Sequence, residues 1–161
     1  MFAETQTFTE ERCILYMVQA WYATLITPSF QKTLDYIGRA GEISRSITPT
    51  DLDEIDNLII PSANIMYFWQ KYSLSDELLL TGIQYCEQNT SVIPYVREKM
   101  ELYRCRLDVC YEWGRHDLCR QIIEAIDTEN RIYQSVGVHI KVPAELRNLV
   151  FSKEEGTSNK G

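Results

Sequence analysis

The chain has 161 residues, of which 45% are hydrophobic and 24% are charged, and its formal net charge is −7. This length suffices for one domain with a sizeable core. The seven glycines and five prolines supply few of the turns that hairpins need, so the composition argues against a β-rich fold. Acidic side chains are in excess in residues 1–90, whereas residues 91–161 are balanced. Since an acidic surface repels phosphate, we expect no nucleic-acid partner and favour a partner protein with a basic surface.

The number and spacing of the cysteines indicate in which cellular compartment the protein is found. Their number is odd, no CxxC pair occurs, and each lies in a helical stretch, which is typical of reduced and mostly packed thiols in a cytoplasmic protein. The polar start of the chain indicates no secretory signal. Since the apolar run 13–20 is too short to span a bilayer, we also expect no membrane partner. The five cysteines are Cys13, Cys86, Cys105, Cys110 and Cys119.

The first predicted helix begins at Thr7 or Thr9, because Thr7 and Glu10 have the spacing of a capping box. It is so densely apolar as far as Ile26 that we expect a central, buried helix. A second helix opens after Pro28, and residues 38–47 are predicted to form a loop.

The middle of the chain predicts three more helices. The third starts at Thr48 and Pro49, and Pro61 breaks or kinks it. The fourth covers residues 65–72 and the fifth residues 76–88.

Residues 94–136 predict two consecutive helices that are separated by Gly114. Helical spacing gives the first of them two apolar stripes, with Lys99 and Arg106 between the stripes, where their charged ends can reach water. The second helix has one broad apolar face, made of Leu118, Cys119, Ile122, Ala125 and Ile126 and continued by Ile132, Tyr133 and Val136. The two stripes of the first helix are Val96, Met100, Tyr103, Leu107 and Cys110, and Tyr95, Leu102, Val109 and Trp113.

Residues 107–126 resemble one hairpin of the tetratricopeptide type, because Gly114, Cys119, Ile123 and Ile126 fall about where that repeat has its turn glycine and its small or apolar positions. The bulky Leu107 at the tight crossing position and the lack of a closing proline depart from the repeat. The resemblance covers less than a quarter of the chain and no second copy follows, so we interpret the segment as a generic antiparallel helix pair.

After Gly137 the apolar residues alternate with polar ones as far as Val142, which indicates a short edge strand or an extended arm. A last helix is predicted over residues 144–151. We therefore predict an all-α protein, an irregular bundle or a short stack of antiparallel hairpins with six to eight helices. It forms a single domain over residues 1–151, and residues 152–161 form a disordered polar tail.

The best lead to a binding site is an aromatic segment of the fourth helix. Large side chains at consecutive helical positions point all round a helix, so one core face cannot bury them all. The competing interpretation is a helix packed on every side, or a dimer seam. The predicted partner-binding residues are Tyr67, Phe68, Trp69 and Tyr72.

The sharpest lead to an enzyme is a set of carboxylates. Glu98 with Glu101, followed by Glu124 with Asp127, resembles the signature of all-α nucleoside-triphosphate pyrophosphohydrolases. In that family four acids on two helices hold Mg²⁺ against the phosphates. In this chain helical spacing turns the four acids away from the apolar stripes. This orientation favours the interpretation that their spacing matches the signature by chance, so no metal or other cofactor is predicted.

These observations favour a non-enzymatic protein–protein interaction module, such as an adaptor, an inhibitor, a chaperone-like factor or an assembly factor. A compact, acidic chain without a motif is equally typical of small accessory proteins encoded by viruses or phages. Self-association into a homo-oligomer and the Mg²⁺-dependent hydrolase are the alternatives.

Overall fold

The protein is all-α in a computed structural model that describes residues 2–46, 51–89 and 92–158. The structure is 84% helical, and the described residues contain no strand. The prediction of an all-α fold with six to eight helices is confirmed. The described residues form seven helices: α1 (Phe2–Leu25), α2 (Phe30–Ser46), α3 (51–68), α4 (Tyr72–Glu87), α5 (Ile93–Glu112), α6 (His116–Ile132) and α7 (Ala144–Ser158).

The contacts within the chain form two compact units, Met1–Tyr85 and Cys86–Gly161, called unit 1 and unit 2 below. Whether the two unfold together, as one domain over residues 1–151, stays a prediction.

In unit 1, α1 and α2 form an antiparallel pair. The Cys13 thiol donates to the carbonyl of Ala40 at 3.5 Å, and the hydroxyl oxygens of Thr24 and Thr33 lie 3.2 Å apart. Small side chains at this crossing are fully buried and let the two helices approach closely. Ser29 caps α2, because its Oγ accepts from the backbone N–H of Lys32 at 3.3 Å.

Two sequence predictions for unit 1 are corrected at its helix ends. The first helix begins at Phe2, before the predicted cap at Thr7 or Thr9. The predicted loop over residues 38–47 is wrong as far as Ser46, because α2 continues through Gly38 and Gly41. The predicted cap at Thr48 and Pro49 lies outside the described residues.

Pro61 neither breaks nor interrupts α3. The helix has a first α-helical turn, Asp51–Glu54, then a π-helical stretch, Ile55–Ile59, and then a second α-helical part, Ile60–Phe68. The N–H of Ile60 bonds to the carbonyl of Ile55 in the wider π pattern. Because the wider turn comes directly before Pro61, it accommodates a residue that cannot donate a backbone hydrogen bond.

In unit 2, α5 and α6 form the predicted hairpin. Gly114 lies in the left-handed region at φ +80°. The N–H of Arg115 bonds to the carbonyl of Cys110, and the N–H of Gly114 bonds to the carbonyl of Tyr111, which is the Schellman pattern. The first of the two predicted stripes of α5, from Val96 to Cys110, is buried and is called its main stripe below. Cys119, Ile122 and Ile126 on the apolar face of α6 are buried as well.

The rest of unit 2 departs from the sequence predictions in two places, the end of α6 and the C-terminal tail. Ile132 is 60% exposed and ends α6, so the predicted continuation of its apolar face is wrong. Of the two alternatives predicted after Gly137, an edge strand and an extended arm, the structure has the arm: residues 138–143 form no strand and are held by two hydrogen bonds between the Asn130 side chain and the backbone of Ile140. In the predicted disordered tail, residues 152–158 belong to α7.

Candidate protein-binding face

The aromatic segment at the end of α3 divides into packed and accessible side chains. Trp69 is partly buried: its Nε1 donates to Oγ1 of Thr24 at 3.0 Å, and its ring lies 5.4 Å from that of Phe30. It therefore belongs to the core of unit 1, with Cys13, Met17, Ala20, Ala40, Ile65 and Met66.

Of the other three aromatics, Tyr67 and Phe68 are exposed, whereas Tyr72 is half-buried like Trp69. The rings of Tyr67 and Tyr72 meet edge to face at 5.8 Å, and Tyr67 is 36% exposed. Phe68 is 54% exposed and touches Trp21 of α1 edge to face, with the ring centroids 6.5 Å apart. Of the four predicted partner-binding residues, Phe68 is therefore the most accessible, and it lies beside α1.

The structure adds a second apolar surface that the sequence analysis missed. The first helix is apolar on both sides: one side packs in the core of unit 1, whereas the opposite side faces solvent. The prediction of a wholly buried helix is therefore wrong. We call this surface the outer α1 face; it consists of Ile14 (46% exposed), Leu15 (55%), Val18 (57%), Tyr22 (57%), Leu25 (53%) and Ile26 (62%).

The outer α1 face is continuous and uncharged. Its members recur at three- and four-residue intervals and lie diametrically opposite the buried Cys13, Met17 and Ala20. From Ile14 to Ile26 the stripe extends about 18 Å along the helix. No Asp, Glu, Lys or Arg occurs between Cys13 and Gln31. The signal was in the sequence, but periodicity alone does not show whether a second apolar side is covered.

Aromatic side chains border the outer α1 face on both flanks. On the α2 side, the rings of Tyr16 and Tyr36 stack with centroids 6.4 Å apart, and the guanidinium of Arg39 lies 5.9 and 6.0 Å from their centroids. On the α3 side, Trp21 and Phe68 form the edge. The outer α1 face and Phe68 thus make one surface of large, mostly rigid side chains, which is the composition of interface anchors.

The carboxylates that suggested a hydrolase are engaged elsewhere or exposed. Arg147 of α7 donates two hydrogen bonds of 2.8 Å to Asp127, which hold the pKa of that carboxyl below its ordinary value. Arg104 donates to Glu101 at 2.9 and 3.1 Å, and Glu124 faces solvent. No group of three or more His, Cys, Asp or Glu side chains in the described part of the chain could hold a metal ion.

A buried charge pair is the main electrostatic feature of unit 2. Lys99 is 3% exposed and its Nζ lies 2.9 Å from Oε1 of Glu129, which corrects the prediction that its charged end reaches water. Burial, followed by the charges of Glu87 and Glu129, raises the pKa of the neighbouring Tyr103 to about 12. The pair joins α5 to α6, and a buried lysine without its carboxylate would be strongly destabilising.

The thiols have little nucleophilic character. All five are free, and four of them are buried. Burial raises the pKa of Cys13 and of Cys105, and raises that of Cys119 to about 11. Since the thiolate is the reactive form, these environments suit packing rather than covalent catalysis.

Comparison of the chain with protein families, with curated proteins and with solved structures finds no match. Within the described ranges, none of the helices combines the length and the hydropathy that crossing a bilayer requires.

Proposed function

We propose that this protein is a non-enzymatic protein–protein interaction module whose outer α1 face binds an amphipathic helix of a partner protein with a basic polar face. The observation that carries the proposal is the exposure of six large apolar side chains on one uncharged helix face. Acting through one such surface is what an adaptor, inhibitor, chaperone-like factor or assembly factor of the cytoplasm does.

The size of the outer α1 face supports this function. Six large side chains that are each about half exposed present on the order of 500 Å² of apolar surface, which is at the upper end for a monomer with no partner. A standard interface buries about 800 Å² on each partner. Phe68 and Trp21 at the edge of the face extend it toward that area.

The shape of the face supports a helix as the bound element. A straight stripe of about 18 Å, bordered by aromatic side chains, matches the apolar side of a partner helix of about 12 residues, read at three- and four-residue intervals. Phe68 would then act as an anchor at the edge, which keeps one of the residues predicted from sequence in the proposed interface.

Charge supports a basic partner over a second copy of the chain. Residues 1–85 hold eleven acidic and five basic side chains, so two copies of unit 1 repel one another at low ionic strength. The outer α1 face has no charge of its own, and the exposed Glu11 and Arg12 lie side by side just before it, so the acidic excess of unit 1 as a whole sets the sign of the field around the face. Lysine or arginine flanking the apolar side of a partner helix would therefore gain attraction and speed association.

Two synthetic amphipathic peptides with the same leucine face test this function, one with lysine and one with glutamate on the polar face. We expect the lysine peptide to bind the full chain and the glutamate peptide to bind at least tenfold more weakly in isothermal titration calorimetry. Val18→Gln and Tyr22→Gln should each weaken binding at least tenfold without changing the melting temperature. The matched control is Leu149→Gln in unit 2, where Leu149 is 51% exposed, and it should bind as the unaltered chain does.

Equal binding by the unaltered chain and Val18→Gln would place the peptide elsewhere and overturn the proposal. Equal binding of the lysine and the glutamate peptide would overturn the proposal that the partner helix has a basic polar face. Light scattering could also show that the unaltered chain is a dimer and that Val18→Gln is a monomer. That result would show that the outer α1 face binds a second copy of the chain and not a partner helix.

The hydrolase alternative gains no support from the arrangement of its carboxylates. A Mg²⁺ ion on Asp127 would have to displace both hydrogen bonds from Arg147. No contact in the described residues gathers the other three carboxylates around Asp127.

A further inference from the structure

Residues 138–143 of unit 2, called the arm below, are extended like a β-strand, although the described residues place no second strand beside them. Burial alternates along the arm, as it does in a strand with one side packed and the other in solvent. The packed members are Val138 and Val142, which are buried, and Ile140, which is half-buried, whereas the exposed members are His139 and Lys141.

One edge of the arm is already paired. The side chain of Asn130 donates from Nδ2 to the carbonyl of Ile140 at 2.8 Å, and its Oδ1 accepts from the N–H of Ile140 at 2.9 Å. Two hydrogen bonds exchanged with a single residue are the arrangement of a hydrogen-bonded pair in an antiparallel sheet. The Asn130 amide therefore takes the place of a residue on a neighbouring strand.

The opposite edge of the arm is unpaired, and we call it the open edge. In an extended chain the backbone groups of successive residues point to opposite edges, so those of His139 and Lys141 point away from Asn130. Neither residue forms a backbone hydrogen bond with the described part of the chain. Because buried backbone groups without a partner are rare, these groups are in contact with water. The open edge thus offers the N–H and C=O groups of both residues to a partner, and it ends at Pro143, which has no N–H.

Charge at the open edge favours an acidic partner over a second arm. Lys141 is exposed and has no ion pair among the described residues, and the arm contains no acidic residue. Two arms side by side would place each lysine beside a histidine or a lysine, which leaves its charge unbalanced. A glutamate directly opposite Lys141 would instead form a cross-strand pair of opposite charge.

We propose that the open edge of the arm binds an extended acidic segment of a partner protein, which adds an antiparallel strand. The backbones of His139 and Lys141 bond to the segment, a glutamate lies opposite Lys141, and apolar side chains of the segment lie on the packed side of the arm. Strand addition of this kind takes its affinity from main-chain hydrogen bonds and its specificity from alternate side chains. The proposal is independent of the helix-binding function of the outer α1 face.

Three capped peptides of alternating valine and glutamate test the site by titration of the full chain. One is unmodified, one is N-methylated on its glutamates and one is N-methylated on its valines. Residues directly opposite one another in an antiparallel pair share a side, so a glutamate beside Lys141 bonds through its own N–H and C=O. We expect the methylated glutamates to weaken binding about tenfold or more, and the methylated valines to change it little.

Amide hydrogen exchange followed by NMR locates the bound peptide. With saturating unmodified peptide, the N–H groups of His139 and Lys141 should exchange several-fold more slowly than in the free protein. The N–H of Ile140, which is already bonded to Asn130, should change less.

Two variants at one position separate the backbone from the charge. Lys141→Pro removes an N–H of the open edge and should weaken binding of the unmodified peptide about tenfold or more. It should also leave the melting temperature unchanged, because that N–H has no partner in the folded chain. Lys141→Gln keeps the N–H, and it should lose only the preference for this peptide over one with glutamine in place of glutamate. If Lys141→Pro fails to fold, the methylated peptides and the exchange of the two amides still decide the matter.

The proposal is overturned if the unmodified peptide does not bind at millimolar concentration, or if the two methylated peptides bind equally well. It is also overturned if Lys141→Pro folds and binds as tightly as Lys141→Gln. Slow exchange at His139 and Lys141 that depends on protein concentration without any peptide would show that the arm of a second copy occupies the open edge, and it would replace the acidic partner.

Discussion

The indole Nε1 of Trp69 donates a hydrogen bond of 3.0 Å to the hydroxyl of Thr24, a residue 45 positions earlier in the chain. The Thr24 hydroxyl in turn donates to the carbonyl of Ala20 at 2.8 Å and is buried. This contact ties the end of α3 to the end of α1. The two adjacent aromatics therefore differ in their surroundings: Trp69 packs in the core of unit 1, whereas Phe68 lies exposed beside α1.

Trp69→Ala and Phe68→Ala should therefore have different effects. Trp69→Ala removes a packed ring and leaves the Thr24 hydroxyl without its donor, so we expect a loss of about 3–5 kcal/mol in the free energy of unfolding. Phe68→Ala removes an exposed ring and should cost less than about 1 kcal/mol. Urea titration followed by circular dichroism measures both. Similar losses in the two variants would show that Phe68 is core as well.

The aromatic segment illustrates what local sequence predicts and what it does not. Four large aromatics within six positions that were predicted as one helix indicated that at least one must be accessible, and Phe68 is, although α3 ends at Phe68 and Tyr72 begins α4. Which one is inside depends on Thr24, and nothing near Trp69 in the sequence indicates that partner. The hairpin at Gly114 was predictable, because its turn uses only neighbouring residues and a left-handed glycine.

The predictions that failed share a physical cause. The density of apolar residues in α1 predicted a helix buried all round, but coverage of each side depends on what else packs there. Glycine at position 38 suggested a loop because glycine is a poor helix former, yet the packed Thr33 and Ala40 keep α2 helical through it. Lys99 was expected to reach water with its charged end from between two apolar stripes, whereas Glu129 from the next helix pairs with it and allows its burial.

Leu107→Ala should destabilise the protein by about 2–5 kcal/mol, the usual cost of truncating a buried leucine. Leu107 is 3% exposed and lies in the main buried stripe of α5. Leu149→Ala makes the same chemical change at a half-exposed position of unit 2 and should cost less than about 1 kcal/mol. Denaturant titration of both variants measures the difference, and a loss below roughly 0.5 kcal/mol in Leu107→Ala would contradict the burial of this stripe.

Gln70→Gly should stabilise the protein. Gln70 follows the end of α3 in the left-handed region at φ 59°, where a side chain costs about 1–2 kcal/mol and glycine costs nothing. Its surroundings repeat the Schellman pattern of Gly114, with the N–H of Lys71 bonded to the carbonyl of Met66 at 2.8 Å. We expect an increase of about 0.5–1 kcal/mol in the free energy of unfolding, after the larger entropy of glycine in the unfolded chain is subtracted.

The reciprocal change, Gly114→Gln, serves as its control. It places the same side chain in the same left-handed position of a helix end and should destabilise by about 0.5–1 kcal/mol, the same balance with the opposite sign. Differential scanning calorimetry of the two variants should give melting temperatures that shift in opposite directions. Shifts of the same sign would show that the conformation at these two helix ends does not decide stability.

Stability should fall between about pH 10 and pH 12 because of Tyr103. The folded state raises the pKa of its phenol to about 12, chiefly by burial, so the folded protein holds the proton more tightly than the unfolded chain does. The resulting stabilisation is complete below the unfolded pKa, near 10, and is lost as the pH rises through the folded value. Tyr103→Phe should flatten this part of the curve of unfolding free energy against pH. An unchanged slope in Tyr103→Phe would assign the alkaline loss to other groups.

Magnesium should leave the melting temperature of the protein unchanged. A ligand that binds only the folded state raises that temperature by mass action, and such a gain needs several oxygen ligands turned toward one point. Here Arg147 occupies both oxygens of Asp127, and Arg104 bonds to Glu101. Thermal unfolding with millimolar MgCl₂, against NaCl of equal ionic strength, measures the effect and separates it from screening. A rise in melting temperature with magnesium that is lost in Glu101→Gln would show that these carboxylates do converge on a metal ion, and it would favour the hydrolase over the interaction module.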